Sequence, residues 1–224
     1  MLLSDTGHSD PRGGAVRLVD ESRRYAERAR LAPARALMEV WLEARARAEE
    51  RDGRSPKGVA PPWRRFSAEA PPRFLCDPSL GGLGRWLRAA GYETFVDPEV
   101  PGHRLPDEAL GRGLVLLTTE TEVFERRIVA NGSLALVWVP SALTMREQLR
   151  MVMHDLGLAL REARCMACGG ELVPTPKEDV FARIPPRTAK WLDEYFVCAS
   201  CDRLFWQGTH WGRIAKALAE AAAP

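Results

Sequence analysis

The sequence predicts an α/β fold: a parallel sheet flanked by helices, with a C-terminal unit built on paired cysteines and an N-terminal helical extension. Three observations carry that prediction. Between residues 73 and 158, short β-rich apolar runs alternate with helical ones. Such alternation builds βαβ units and a parallel sheet covered on both faces. Four of the five cysteines fall into two C-x-x-C pairs. The stretch from 21 to 52 is rich in Ala, Arg and Glu, with Leu37, Val40, Trp41 and Ala44 at helical spacing.

The extension comes first along the chain. Residues 1 to 20 are polar, and residues 21 to 52 predict two short helices broken near Pro33. Arg and Glu nearly cancel there, and Glu43 with Arg47 at i,i+4 suits a solvated face. The apolar stripe requires a partner surface, either in this chain or in another protein such as a second copy in a homodimer. From Gly53 to Pro72 the segments "APPW" and "APPR" favour extended backbone, with Trp63, Arg64, Arg65 and Phe66 as a basic-aromatic patch between them. A boundary there divides the chain into an extension and linker (1–72), an α/β domain (73–160), a cysteine unit (161–214) and a C-terminal tail (215–224).

Within the α/β domain the strands are predicted near 73–76, 93–96, 114–118 and 135–139. Helices are predicted near 79–90, 107–111, 121–130 and 144–157. In the first helix Leu80, Leu83, Leu87 and Ala90 form the buried face, and Gly81, Gly82 and Gly84 permit close packing. These glycines do not form a dinucleotide fingerprint. That motif sits directly at the strand-to-helix turn, whereas they lie four or more residues beyond Asp77, and no Walker lysine follows. Arg85 and Arg88 point away from the apolar face, as phosphate contacts or as surface ion pairs.

Acids recur where the strands end. Asp77 follows the first strand, Asp97 the second and the run Thr118 to Glu122 the third, while Asp107 opens a short helix. In open parallel sheets, ligands bind beyond the carboxyl ends of the strands, where strand order reverses. Carboxylates gathered there repel one another unless a cation compensates them, and hard oxygen ligands suit Mg²⁺ or Mn²⁺. Such an ion can polarise a phosphodiester and activate water, which fits phosphodiester hydrolysis. Each acid also has a local role open to it. Asp77 before Pro78 is a helix cap, Asp107 and Glu108 complement a helix dipole, and Thr119 with Glu122 matches a capping box.

The cysteines Cys165, Cys168, Cys198 and Cys201 follow the pattern C-x₂-C-x₂₉-C-x₂-C. Two knuckles of this kind supply four thiolates to a structural Zn²⁺ with no open coordination position. The gap exceeds the roughly 15 to 20 residues of the common pattern, so the loop carries an insertion, with a helix in "RTAKWLDEYF". Cys76 lies in an apolar strand as packing. "FWQGTHWGR" reads as an aromatic strand and turn, with a nucleic-acid contact through His210, Trp211 and Arg213 as the other reading.

Net charge is only +2, with Lys+Arg 32 against Asp+Glu 30. Any polyanion site is therefore a local patch. The start lacks a basic segment followed by an apolar one, and no apolar run approaches the roughly 18 residues that cross a bilayer. A cytoplasmic protein without a membrane partner is expected.

The motifs "DPSLGGLGRWLRAAGYET", "LPDEAL", "LVLLTTETE", "EQLRMVM", "CMACGGEL" and "FWQGTHW" occur in that order over about residues 73 to 214. In this the chain resembles the Mut-seven C-terminal RNase domain family, a PIN-like fold with an inserted zinc ribbon. The resemblance implies a metal-dependent ribonuclease acting on RNA, with a first catalytic acid at Asp77, a second at Asp107 and further acids at Glu120 and Glu122. Where the family usually carries aspartate after the third strand, this chain has Glu120, which displaces the carboxylate by about one methylene. A non-catalytic RNA- or protein-binding module that keeps the fold and the ribbon is the alternative, and a nucleotide-directed phosphohydrolase is a third reading.

Overall fold

A computed structural model describes residues 11–53, 70–130 and 133–223. The linker patch Trp63, Arg64, Arg65 and Phe66 lies outside the described residues, as does the side chain of Arg47. The chain opens with two helices, α1 (Pro11–Ala29) and α2 (Pro33–Gly53). The break at Pro33 falls where expected, because proline is tolerated only in a helix's first turn. The first helix is longer than predicted and begins within the polar stretch.

Four short strands then form a parallel sheet: β1 (Phe74–Cys76), β2 (Thr94–Val96), β3 (Val115–Thr118) and β4 (Leu136–Trp138). Their order is β2-β1-β3-β4. Side chains alternate across the sheet with period two. Phe74, Cys76, Val115, Leu117 and Val137 face one core, whereas Leu75, Leu116, Leu136 and Trp138 face the other.

The first core is covered by α3 (Gly81–Ala89), α6 (Met145–Asp155) and α9 (Thr209–Ala222). Gly84 explains the closeness of α3. A Cβ built there would lie 2.7 Å from Val96 Cγ2 and 3.6 Å from Cys76 Sγ, so only glycine lets the helix approach the sheet. Helix α6 starts with a capping box, in which the Thr144 hydroxyl accepts from the Glu147 amide and the Glu147 carboxylate accepts from the Thr144 amide. Residues 215–222, read as a tail, are instead helical. Ile214, Ala217, Leu218 and Ala221 recur at helical spacing on α9 and are buried against the sheet domain.

The second core is covered by α4 (Leu105–Arg112) and by the N-terminal hairpin. Leu37, Val40 and Trp41 of α2 pack with Leu75, Leu116 and Leu136, so the partner surface of the apolar stripe lies in this chain. The Trp41 Nε1–H donates to Asp155 Oδ2 at 2.8 Å across the interior. Helix α4 begins two residues earlier than predicted and closes on Gly113, whose left-handed φ of 63° makes the cap that a side chain would strain.

The predicted helix over 121–130 is broken. A 3₁₀ turn at Glu122–Glu125 precedes the single turn α5 (Arg127–Ala130). The proposed Thr119 capping box does not form, because the Thr119 hydroxyl lies 3.3 Å from that of Ser79 and the turn's cap, Thr121, has no side-chain bond.

Beyond α6 comes a three-stranded antiparallel sheet of β5 (Leu172–Thr175), β6 (Tyr195–Cys198) and β7 (Leu204–Trp206). The insertion between β5 and β6 contains α7 (Lys177–Val180) and α8 (Pro186–Ala189), over a small core of Val180, Ile184 and Tyr195.

Candidate active site and metal centre

Strand order reverses between β1 and β3. The chain leaves β1 through α3 on one face of the sheet and reaches β3 through α4 on the other. In open parallel sheets this reversal, at the carboxyl ends of the strands, is where ligands bind. Asp77 stands at the end of β1 and Thr118 at the end of β3, one step beyond the paired Cys76 and Leu117.

Asp77 is 8% exposed and firmly held. Its Oδ1 accepts the Ser79 amide at 2.9 Å and its Oδ2 accepts the Thr118 hydroxyl at 3.2 Å. The first bond caps the 3₁₀ turn Pro78–Leu80, with proline in its first turn, so the capping role predicted for this aspartate is real. A carboxylate has about four lone-pair sites, so these two bonds leave acceptor capacity toward a ligand. The Thr118 oxygen in turn accepts the Glu120 amide at 3.1 Å, which ties the two strand-end loops together. Neither Thr118 nor Ser79 was singled out from the sequence. The available signal was that Thr118 occupies, in the neighbouring strand, the position equivalent to Asp77.

The other acids are looser. Glu120 and Glu122 are exposed, and Asp97 caps its own turn by accepting the Glu99 amide. Asp107 sits exposed in the first turn of α4 and accepts from Arg126 Nη2 at 2.7 Å, while Arg126 Nη1 donates to the His103 carbonyl. Among the described residues, the four cysteines alone make a group of three or more side chains whose ligand atoms could share one ion. Asp77, Asp107, Glu120 and Glu122 do not form such a group.

The basic candidates divide. Arg85 is exposed on α3. Arg88 is buried and corrects the expectation of a phosphate contact. Its Nε donates to the Thr94 carbonyl at 2.8 Å, and its Nη1 donates to the carbonyls of Met166 at 3.2 Å and Ala167 at 2.8 Å. Met166 and Ala167 are the two residues inside the first C-x-x-C, so this arginine fastens the knuckle to α3 and β2. His210 is exposed in the first turn of α9, not in a strand and turn, because Trp211 and the apolar residues beyond it draw the segment onto the first core.

The four thiols lie within 4.8 Å of one another, with Cys165 and Cys201 Sγ atoms 3.7 Å apart and Cys168 and Cys198 3.5 Å apart. A disulfide requires about 2.05 Å, whereas a tetrahedron with Zn–S bonds of about 2.3 Å has edges of about 3.8 Å. The donor set therefore fits zinc. The two knuckles are built alike. In each, the residue four past the first cysteine has positive φ, Gly169 at 85° and Asp202 at 56°, and donates its amide to that cysteine's carbonyl. Burial opposes ionisation of Cys198, but the Cys201 and Ser200 amides and neighbouring thiols outweigh it and bring the thiol down to about 7. Burial pushes Cys168 up to about 12.

Residues 72–218 match the Mut7-C RNAse domain, over more than half of the chain. This chain belongs to the Mut7-C RNAse domain family. No curated protein and no solved structure matches it. The Mut7-C match begins just before β1, runs through both knuckles and ends inside α9, so the ribbon is part of the matched region and the α1–α2 hairpin is not. Membership indicates a nuclease-like role, with RNA as the substrate class that the family's description names. No described helix is long and apolar enough to cross a membrane.

Proposed function

We propose that this Mut7-C protein is a metal-dependent ribonuclease whose principal carboxylate is Asp77. The observation that supports this reading best is the position of Asp77 at the strand-order reversal, held by Thr118 in a chain of this family. Mg²⁺ keeps several waters and binds through one or two carboxylates together with substrate phosphates. Asp77 and Glu120, both following strands at this edge, meet that requirement, with Glu122 and Asp107 as further oxygen donors. A bound Mg²⁺ or Mn²⁺ would supply Lewis-acid polarisation of the phosphodiester.

The remaining work falls to the chain. Thr118 and the Ser79 amide fix the Asp77 carboxylate in one orientation. Asp107 joins by releasing Arg126, and the freed guanidinium then suits a phosphate oxygen. Arg85 steers the backbone of the approaching RNA.

The test is RNA cleavage by purified protein with Mg²⁺ or Mn²⁺, compared with Asp77→Asn. Loss of cleavage in the variant is expected, and equal cleavage would overturn the assignment. The Asp107–Arg126 pair, with glutamate at 120, favours a second reading as a non-catalytic binding module. That reading predicts RNA binding without turnover in any metal.

A further inference from the structure

We propose that the insertion in the zinc ribbon is a stacking platform for single-stranded RNA, centred on Trp191 and flanked by Arg187 and Lys190. This deepens the ribonuclease reading by assigning where substrate is gripped outside the acidic edge, and it rests on RNA being the substrate class.

Among the described residues, the two most exposed large apolar side chains are Trp191 at 84% and Phe181 at 61%. Both belong to this one insertion. An isolated apolar side chain on a surface needs no explanation, but here the backbone dictates what surrounds it. The amides of Ala189, Lys190, Trp191 and Leu192 donate to carbonyls three or four residues back, which extends α8 as a helical turn through residue 192. Arg187, Lys190 and Trp191 are spaced i, i+3 and i+4, so they share one face of that turn. Ala189 and Leu192 pack inward on the ribbon's own core. The indole is therefore held outward because the opposite face is anchored.

The charge is basic locally, on the stretch that carries the indole, within an insertion whose acids Glu178, Asp179, Asp193 and Glu194 balance its four basic residues. From Phe181 to Trp191 the chain carries Arg183, Arg187 and Lys190 and no acid. Arg183 is paired with Asp202, and the next acid, Asp193, is paired with Lys177. Arg187 and Lys190 are exposed and have no ion pair among the described residues. Glu194 lies beyond the turn, next to β6. Two unpaired cations beside an open indole match single-stranded RNA, whose phosphates take the cations and whose unstacked bases offer a π-face. A duplex hides those faces.

The experiment uses the full-length, zinc-loaded protein carrying Asp77→Asn to prevent cleavage, with a short fluorescently labelled single-stranded RNA read by anisotropy. Trp191→Ala should weaken binding about tenfold, and Trp191→Phe should restore most of it. Arg187→Ala with Lys190→Ala should lower the slope of log K against log salt by about 1.4. Zinc content and circular dichroism establish that each variant is folded. Binding within twofold of the parent in both variants, or equal preference for duplex RNA, would overturn the proposal. The two claims fail separately. Trp191-dependent binding by a protein that never cuts RNA leaves the platform and removes the enzyme, whereas cutting and binding indifferent to Trp191 does the reverse.

Discussion

Arg88→Met tests whether the ribbon is a rigid part of the domain or an appendage. The substitution keeps the packing of an unbranched stem and removes three donated hydrogen bonds. The bond to Thr94 is buried and those to Met166 and Ala167 are partly buried, so water can replace the second pair more readily. A buried acceptor left unpaired costs about 1–3 kcal/mol. Taking about 2 for Thr94 and about 0.5 for each of the others gives about 3 kcal/mol. For a chain of this size that is a Tm fall of about 6–12 °C. Urea denaturation of the zinc-loaded protein measures the first quantity and a thermal scan the second. Zinc affinity should fall as well, because Met166 and Ala167 are the residues the arginine holds within the first knuckle. Arg88→Lys should recover only part of the loss, since one ammonium cannot fork toward three carbonyls. A loss under about 1 kcal/mol with unchanged zinc affinity would refute the reasoning.

Trp41→Ala should destabilise by about 4 kcal/mol, from the cavity left between α2 and the sheet and the lost bond to Asp155, as read by urea denaturation. A loss under about 1 kcal/mol would mean that the hairpin does not seal the second core. Thiol alkylation of the folded protein followed by mass spectrometry should label the two exposed ligands, Cys168 and Cys201, once zinc is chelated. Cys76 should react only after unfolding, because its side chain is fully buried within β1 and no reagent reaches it. The stabilisation conferred by zinc should be present at neutral pH and shrink as pH falls from about 7 to 5, since ligation requires thiolates and protons compete for them. A zinc-dependent Tm shift that stays constant across that range would contradict thiolate ligation.

The four strands were legible to within a residue because each is a short apolar run bounded by turn residues. The parallel pairing follows from the same alternation of strand and helix, whereas the order β2-β1-β3-β4 does not, since the alternation is equally compatible with other orders. The cysteine centre was legible because its spacing is its chemistry. What escaped depends on residues far apart in sequence. Arg88 meets Met166 across 78 positions and Trp41 meets Asp155 across 114, so neither role is written near either residue. Helix α9 was missed for another reason. The aromatics at 205–211 and the glycines at 208 and 212 carry strand and turn signals, while the helical spacing of Ile214, Ala217, Leu218 and Ala221 lies beyond them. At the acidic edge, sequence placed Asp77 after the first strand and Glu120 after the third, but could not show that these strands are neighbours or that Asp107 is held by Arg126. Proximity in a strand-end list is weaker than proximity in space.

The most direct measurement is metal-dependent cleavage of RNA by the zinc-loaded chain and by its Asp77→Asn variant, under identical Mn²⁺ or Mg²⁺. The account predicts cleavage that needs the divalent ion and is lost in the variant, while the variant keeps its Tm within a few degrees and still binds RNA. Cleavage that persists without Asp77, or a wild-type protein that binds RNA and never cuts it at saturating metal, would contradict it.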